Sequence, residues 1–143
     1  MKFYRPLGPI KAITFDLDDT LYDNHPVIRK TTTESHAALQ AYHPALREFT
    51  PADYQALRDE LLVQEPEIYH DVSEWRRRSV ERALLNVGLS AAEATAGASE
   101  VMSVFHQWRS EVEMPEETHQ TLTWLEIGRH TSELQSRGLI SYA

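Results

Sequence analysis

Four aspartates fall within eight residues in the stretch ITFDLDDTLYD: Asp16, Asp18, Asp19 and Asp23. Carboxylates packed this closely repel one another and cost stability unless a cation or a function compensates. Asp16 and Asp18 can reach one ligand if the chain turns sharply after Phe15. One of them can then attack an electrophile while the other takes or gives a proton. Asp19 and Thr20 can tie the turn through side-chain-to-backbone hydrogen bonds. The backbone N–H groups of such a turn also form a nest that accepts an anion.

These residues need an element to carry them. Lys11-Ala-Ile-Thr-Phe15, short, β-branched and aromatic behind Pro9, predicts a strand covered on both faces, with the acidic cluster at its C-terminal end. Ligands of open α/β sheets bind at that end. Helical periodicity then takes over. It runs from Val27 to Tyr42 and breaks at Pro44. Thr50-Pro51-Ala-Asp53 starts a second helix, with Tyr54, Leu57, Leu61 and Leu62 on one face and Pro66 as its stop. A third begins near Ser73 and stops at Gly88, with Trp75, Val80, Ala83, Leu84 and Val87 on its apolar side. Ser90-Ala-Ala-Glu93 is a capping box for a fourth, which continues through Val101, Met102, Phe105 and Trp108 to Arg109. Pro115 opens a fifth, with Leu122 facing inward.

One strand followed by helices leaves unpaired edges on both sides. The alternatives are an all-helical protein with a stray extended segment, or a sheet of which this chain carries one part. Glu126 to Ala143, EIGRHTSELQSRGLISYA, is similar to the in-frame translation of a sequencing-library adapter and reads as a non-native tail.

Composition narrows the function. Hydrophobic residues make up 41% and charged residues 25% of the chain, which is the range of a folded globular domain. The net charge of −8 opposes a nucleic-acid partner. The absence of cysteine excludes disulfides and thiolate metal sites. No apolar stretch approaches the ~20 residues of a membrane span, and the N-terminus lacks a signal-peptide core, so the expectation is a cytoplasmic protein without a membrane partner.

Ile13-Thr-Phe-Asp16-Leu-Asp18-Asp-Thr20-Leu-Tyr resembles the first signature of the haloacid dehalogenase superfamily, an apolar strand followed by D-x-D-x-T. MKFYRPLG, DLDDTLYDN, YHPALR, EPEIYHDV and NVGLSAAEA extend the likeness, to an enterobacterial phosphatase branch, over about residues 1 to 124. The fold that the resemblance implies is α/β: a Rossmann-like core, here truncated to its first strand, with an inserted α-helical cap. Residues 1–23 would be the strand and catalytic loop, 24–114 the cap, 115–125 a return helix to the core, and 126–143 the tail.

The resemblance also implies roles. Asp16 would be the nucleophile that forms an aspartyl-phosphate, and Asp18 the general acid and then base. Leu17 and Asp18 would contact the phosphate. The Asp16 carboxylate and the Asp18 backbone carbonyl would hold Mg²⁺. Dehalogenases of the superfamily lack a carboxylate at the position of Asp18, because a halide leaves without a proton. The implied substrates are small phosphorylated metabolites, notably 5-amino-6-(5-phospho-D-ribitylamino)uracil, a riboflavin intermediate, and FMN. The family's further motifs (a Ser or Thr, a Lys and an acidic pair) are absent here, so the chain alone is expected to be inactive.

Other residues carry plainer expectations. Asp19 and Asp23 shape the turn. Arg76, Arg77 and Arg78 form a solvated helix face. His25 is a loop residue near the site entrance, and the other histidines lack the pairing of a zinc site. Tyr69, Trp75, Phe105 and Trp108 pack in the cap core. The competing functions are a non-catalytic helical interaction module, and a phosphotransferase or mutase of the same superfamily.

Overall fold

The computed structural model describes residues 13–126. Five helices dominate: α1 (Asn24–Tyr42), α2 (Pro51–Gln64), α3 (Val72–Asn86), α4 (Ala91–Arg109) and α5 (Glu116–Glu126), with single 3-10 turns at Pro44–Leu46 and Pro66–His70. α4 is central. It packs against α1 on one side and α3 on the other, and α2 lies on α3.

Local chemistry explains where these helices begin and end. The side chain of Thr50 accepts the backbone N–H of Asp53, whose carboxylate accepts the Thr50 N–H in return, and Pro51 starts α2 where its missing N–H costs nothing. Ser90 and Glu93 make the same reciprocal pair at the start of α4. Asp71 caps α3 through the Glu74 N–H. α3 ends because Gly88 takes φ +93°, which lets the Leu89 N–H close back on the Leu84 carbonyl. Pro44 and Pro66 do stop the helices before them, but each opens a 3-10 turn that buries an apolar residue, Leu46 or Ile68.

The core joins α1, α3 and α4 through Leu39, Val80, Ala83, Leu84, Ala94, Ala98 and Val101, with Leu46 closing one end. On α4 the buried residues nearest this centre are small: Ala94, Gly97 and Ala98. They let the neighbouring helices approach closely. A β-carbon at Gly97 would stand 2.6 Å from Tyr42 Cζ and 2.8 Å from Leu84 Cδ1, closer than real contacts, so any larger residue would force the Tyr42 and Leu84 side chains to shift. Phe105 is buried and Trp75 and Trp108 are half-buried, so these three pack into the helical bundle. Tyr69 is not: it is 54% exposed, because the turn that buries Ile68 points the next side chain outward.

The expected strand is not seen as one. Lys11 and Ala12 lie outside the described residues. Ile13 to Asp16 make no ladder, and Ile13, Phe15 and Leu17 are 48%, 43% and 50% exposed. A strand is defined by its partners, and among the described residues no second extended segment lies beside this one. The one β-bridge there is local, between Asp18 and Tyr22. The tail from residue 127 also lies outside the described residues. Among the described residues no helix is long and apolar enough to cross a membrane.

Candidate active site

The turn after Leu17 is closed by its own carbonyl, which accepts the N–H groups of Thr20 (3.3 Å) and Leu21 (3.0 Å). Asp19 sits at φ 56°, a left-handed conformation that Asp and Asn tolerate better than most side chains. Its carboxylate accepts the Asn24 N–H at 2.8 Å. Asp23 caps α1 through the His25 N–H at 3.0 Å. Asp19 and Asp23 therefore shape the turn, as expected. Thr20 contributes its backbone only: its hydroxyl makes no hydrogen bond among the described residues. His25 belongs to the first turn of α1 rather than to a loop.

The structure treats Asp16 and Asp18 differently. Asp16 is exposed, and its carboxylate makes no hydrogen bond or ion pair to a described residue. Asp18 is tied at both oxygens. Tyr22 donates its hydroxyl to Oδ1, and Arg109 donates Nη2 to Oδ2 at 2.7 Å while its Nη1 reaches the Tyr22 oxygen at 3.2 Å. Tyr22 is buried, and the Arg109 side chain is only 15% exposed. The Tyr22 hydrogen bond, followed by the Arg109 charge, holds the Asp18 carboxyl below the ordinary aspartate range against a burial effect of opposite sign. Burial, then the bond to Asp18, pushes the Tyr22 phenol up. In this geometry the Asp18 carboxyl favours its ionised form.

Nothing in the sequence marks Tyr22 or Arg109 as a partner of Asp18. Tyr22 lies four residues after Asp18, a spacing at which a turn brings side chains together. Arg109 stands 91 residues away, at the last position of α4, and nothing local announces it.

This pairing has a checkable pH dependence. A carboxylate whose pKa is lower in the folded state adds stability above its unfolded value, near 3.8, and loses it as pH falls through the folded value. A double-mutant cycle on Asp18→Asn and Arg109→Gln, followed by urea unfolding, should give a coupling near 1 kcal/mol at pH 7. That size already allows for the partial exposure of Asp18. The coupling should shrink below pH 3.8, and one that is constant from pH 7 to pH 3 would contradict the pairing.

Among the described residues, one group has the donors for a cation: oxygens of Asp19 and Asp23 and a ring nitrogen of His25 lie within 4.8 Å of one another. Both carboxylates already accept backbone N–H groups there. Asp16 is the carboxylate with both oxygens open, and its hard oxygen donors suit Mg²⁺. The Asp18 carboxylate does not fit such an ion while Tyr22 and Arg109 occupy it.

The chain is 58% identical over 125 residues to the 5-amino-6-(5-phospho-D-ribitylamino)uracil phosphatase YigB of Escherichia coli (strain K12). That match covers 87% of this chain and 52% of the relative, so the chain spans about half the relative's length. The crystal structure of a 2-haloacid dehalogenase from Pseudomonas syringae pv. Tomato DC3000 superimposes with a TM-score of 0.71 at 33% identity, covering 78% of this chain and 48% of that one. The sequence model for haloacid dehalogenase-like hydrolases matches residues 10–140, nearly the whole chain with the acidic turn included, and the chain belongs to that family.

Proposed function

We propose that the chain carries the nucleophile and proton-transfer residues of a phosphate-monoester hydrolase for small phosphorylated metabolites. The observation that carries this reading is the contrast between an open Asp16 and a tethered Asp18 on one turn. An Asp16 oxygen attacks phosphorus, the ester P–O bond breaks, and an aspartyl-phosphate forms. Asp18 gives its proton to the departing alkoxide. Water then attacks the same phosphorus and loses a proton to Asp18, which frees phosphate and restores Asp16. The backbone N–H groups of Leu17 and Asp18 are the proposed phosphate contacts.

Asp18 as found here, ionised by Tyr22 and Arg109, is in the form that activates water. Donating a proton first requires Arg109 to withdraw, so the end of α4 governs which half of the reaction Asp18 can serve. Mg²⁺ would be held by the Asp16 carboxylate and the Asp18 backbone carbonyl, and when bound it neutralises phosphoryl charge. A side-chain carboxylate at position 18 supports an alkoxide leaving group over a halide. The name of the E. coli relative supports 5-amino-6-(5-phospho-D-ribitylamino)uracil as the substrate, which suits a cytoplasmic enzyme.

The relative extends well beyond this chain, so the test uses a chimera in which residues 1–125 replace the matching part of E. coli YigB. The chimera should hydrolyse 4-nitrophenyl phosphate and the ribitylaminouracil phosphate with Mg²⁺ and not with EDTA, whereas the 143-residue chain alone should show negligible turnover. A folded chimera without Mg²⁺-dependent hydrolysis would overturn the reading.

A further inference from the structure

The arginine run of α3 is not the uniform solvated face that its sequence suggests. Arg77 is clasped by Glu74 at 2.7 Å and Glu81 at 3.1 Å. Arg78 makes a two-pronged pair with Glu65, and Arg82 lies 3.6 Å from Glu60. Arg76 alone turns inward. With Arg58 of α2 it borders a cavity of about 220 Å³ between α1, α2, α3 and α4. Leu39, Tyr54, Val80 and Val101 supply much of the remaining wall.

Among the described residues no carboxylate pairs with Arg58 or Arg76, and neither side chain donates a hydrogen bond. The Arg58 Nε is buried without a partner. Each group rests on a ring instead: Arg58 lies 3.9 Å from the Trp75 centroid and Arg76 lies 4.0 Å from that of Phe105. Stacking uses the face of a guanidinium and leaves its N–H edge unsatisfied. Burial pushes Arg76 below the ordinary arginine range; the nearby Tyr54 opposes this, and repulsion from Arg58 and Arg109 adds to it. A chain of net charge −8 thus sets two half-buried guanidinium groups at one cavity with no described carboxylate paired to either, and their unsatisfied N–H edges favour an anion.

We propose that this cavity binds a small organic anion, with a carboxylate or phosphate head between Arg58 and Arg76 and an apolar body against Leu39, Val80 and Val101. The volume fits: an apolar cavity of ~150 Å³ accepts benzene, so about 220 Å³ leaves room for a ring and a charged group. The ligand is defined by that chemistry: one anionic head on a small apolar body. The inference does not rest on the phosphatase reading, because its test contains neither phosphate ester nor magnesium.

Calorimetric titration of the 143-residue chain with sodium benzoate should show one saturable site with a Kd on the order of 1 mM, typical of a fragment. The Arg58 and Arg76 Nε–H resonances should move in NMR spectra recorded along the same titration. Benzyl alcohol, which has the ring without the charge, and inorganic phosphate, which has charge without the ring, should each bind at least ~10-fold more weakly, about 1.4 kcal/mol. Arg76→Met and Arg58→Met should each weaken benzoate at least ~10-fold, while Arg77→Met leaves it within about twofold. If Arg76→Met fails to fold by circular dichroism, Arg58→Met decides. No saturable benzoate binding, equal affinity for benzyl alcohol, or affinity unchanged in Arg58→Met would overturn the proposal.

Discussion

Asp16→Asn should lower turnover of the YigB chimera by at least ~1000-fold, in line with the loss of a covalent nucleophile. The amide has the shape of the carboxylate but lacks the charge and lone-pair basicity needed to attack phosphorus. It should leave the fold alone, since Asp16 is exposed and makes no bond to a described residue. Surface exchanges of this kind stay within about 0.5 kcal/mol. Rapid quenching of the parent chimera with ³²P-labelled substrate should trap a protein-bound phosphate that hydroxylamine removes, as an acyl phosphate requires, and Asp16→Asn should trap none. Asp18→Asn should differ in kind. It removes the proposed proton donor and also strips Arg109 and Tyr22 of their bonds to Asp18, so activity and stability should fall together. Full turnover in Asp16→Asn would remove the nucleophile from the mechanism.

The second large effect is on the bundle. Leu84→Ala should destabilise the chain by about 2–5 kcal/mol, the range for emptying a buried leucine site. Leu84 is 0% exposed, and its Cδ1 reaches the α4 backbone at the one position that has no side chain, Gly97. Three helices meet there, so relaxation by one of them cannot fill the void without moving the others. Set against a total stability of about 5–15 kcal/mol for a domain, this is a large fraction. Urea unfolding followed by helical circular dichroism should show a lower midpoint with an unchanged slope. Leu85→Ala, one residue on and 38% exposed, is the control and should cost much less.

How much of this the sequence announces depends on how local each cause is. Both capping boxes, the proline stops and the Gly88 stop act within a few residues, and each is readable from residue type and spacing. The 3-10 turns after Pro44 and Pro66 are harder to read, because the signal that ends a helix is the same one that starts a short turn. The small stripe of Ala94, Gly97 and Ala98 carries little hydrophobic weight, so the residues that seat α4 most closely are quieter in the sequence than Phe105 and Trp108. Extended pairing at Ile13–Phe15 depends on neighbours that no property of those residues supplies. The same limit applies at the site. The acidic turn stands out in eleven residues, but its cationic clamp comes from the far end of another helix, and the inward turn of Arg76 is set by which of its neighbours find glutamates.

The distance between Asp18 and Arg109 along the chain also orders events during synthesis. The acidic turn leaves the ribosome before α4, and the guanidinium that steadies it follows 91 residues later. At translation speeds of about 5–20 residues per second, the carboxylate waits roughly 5–20 s for its clamp. During that interval α1 and α2 can form and Tyr22 can hold one Asp18 oxygen, but the other oxygen gains its partner only when the last residue of α4 emerges.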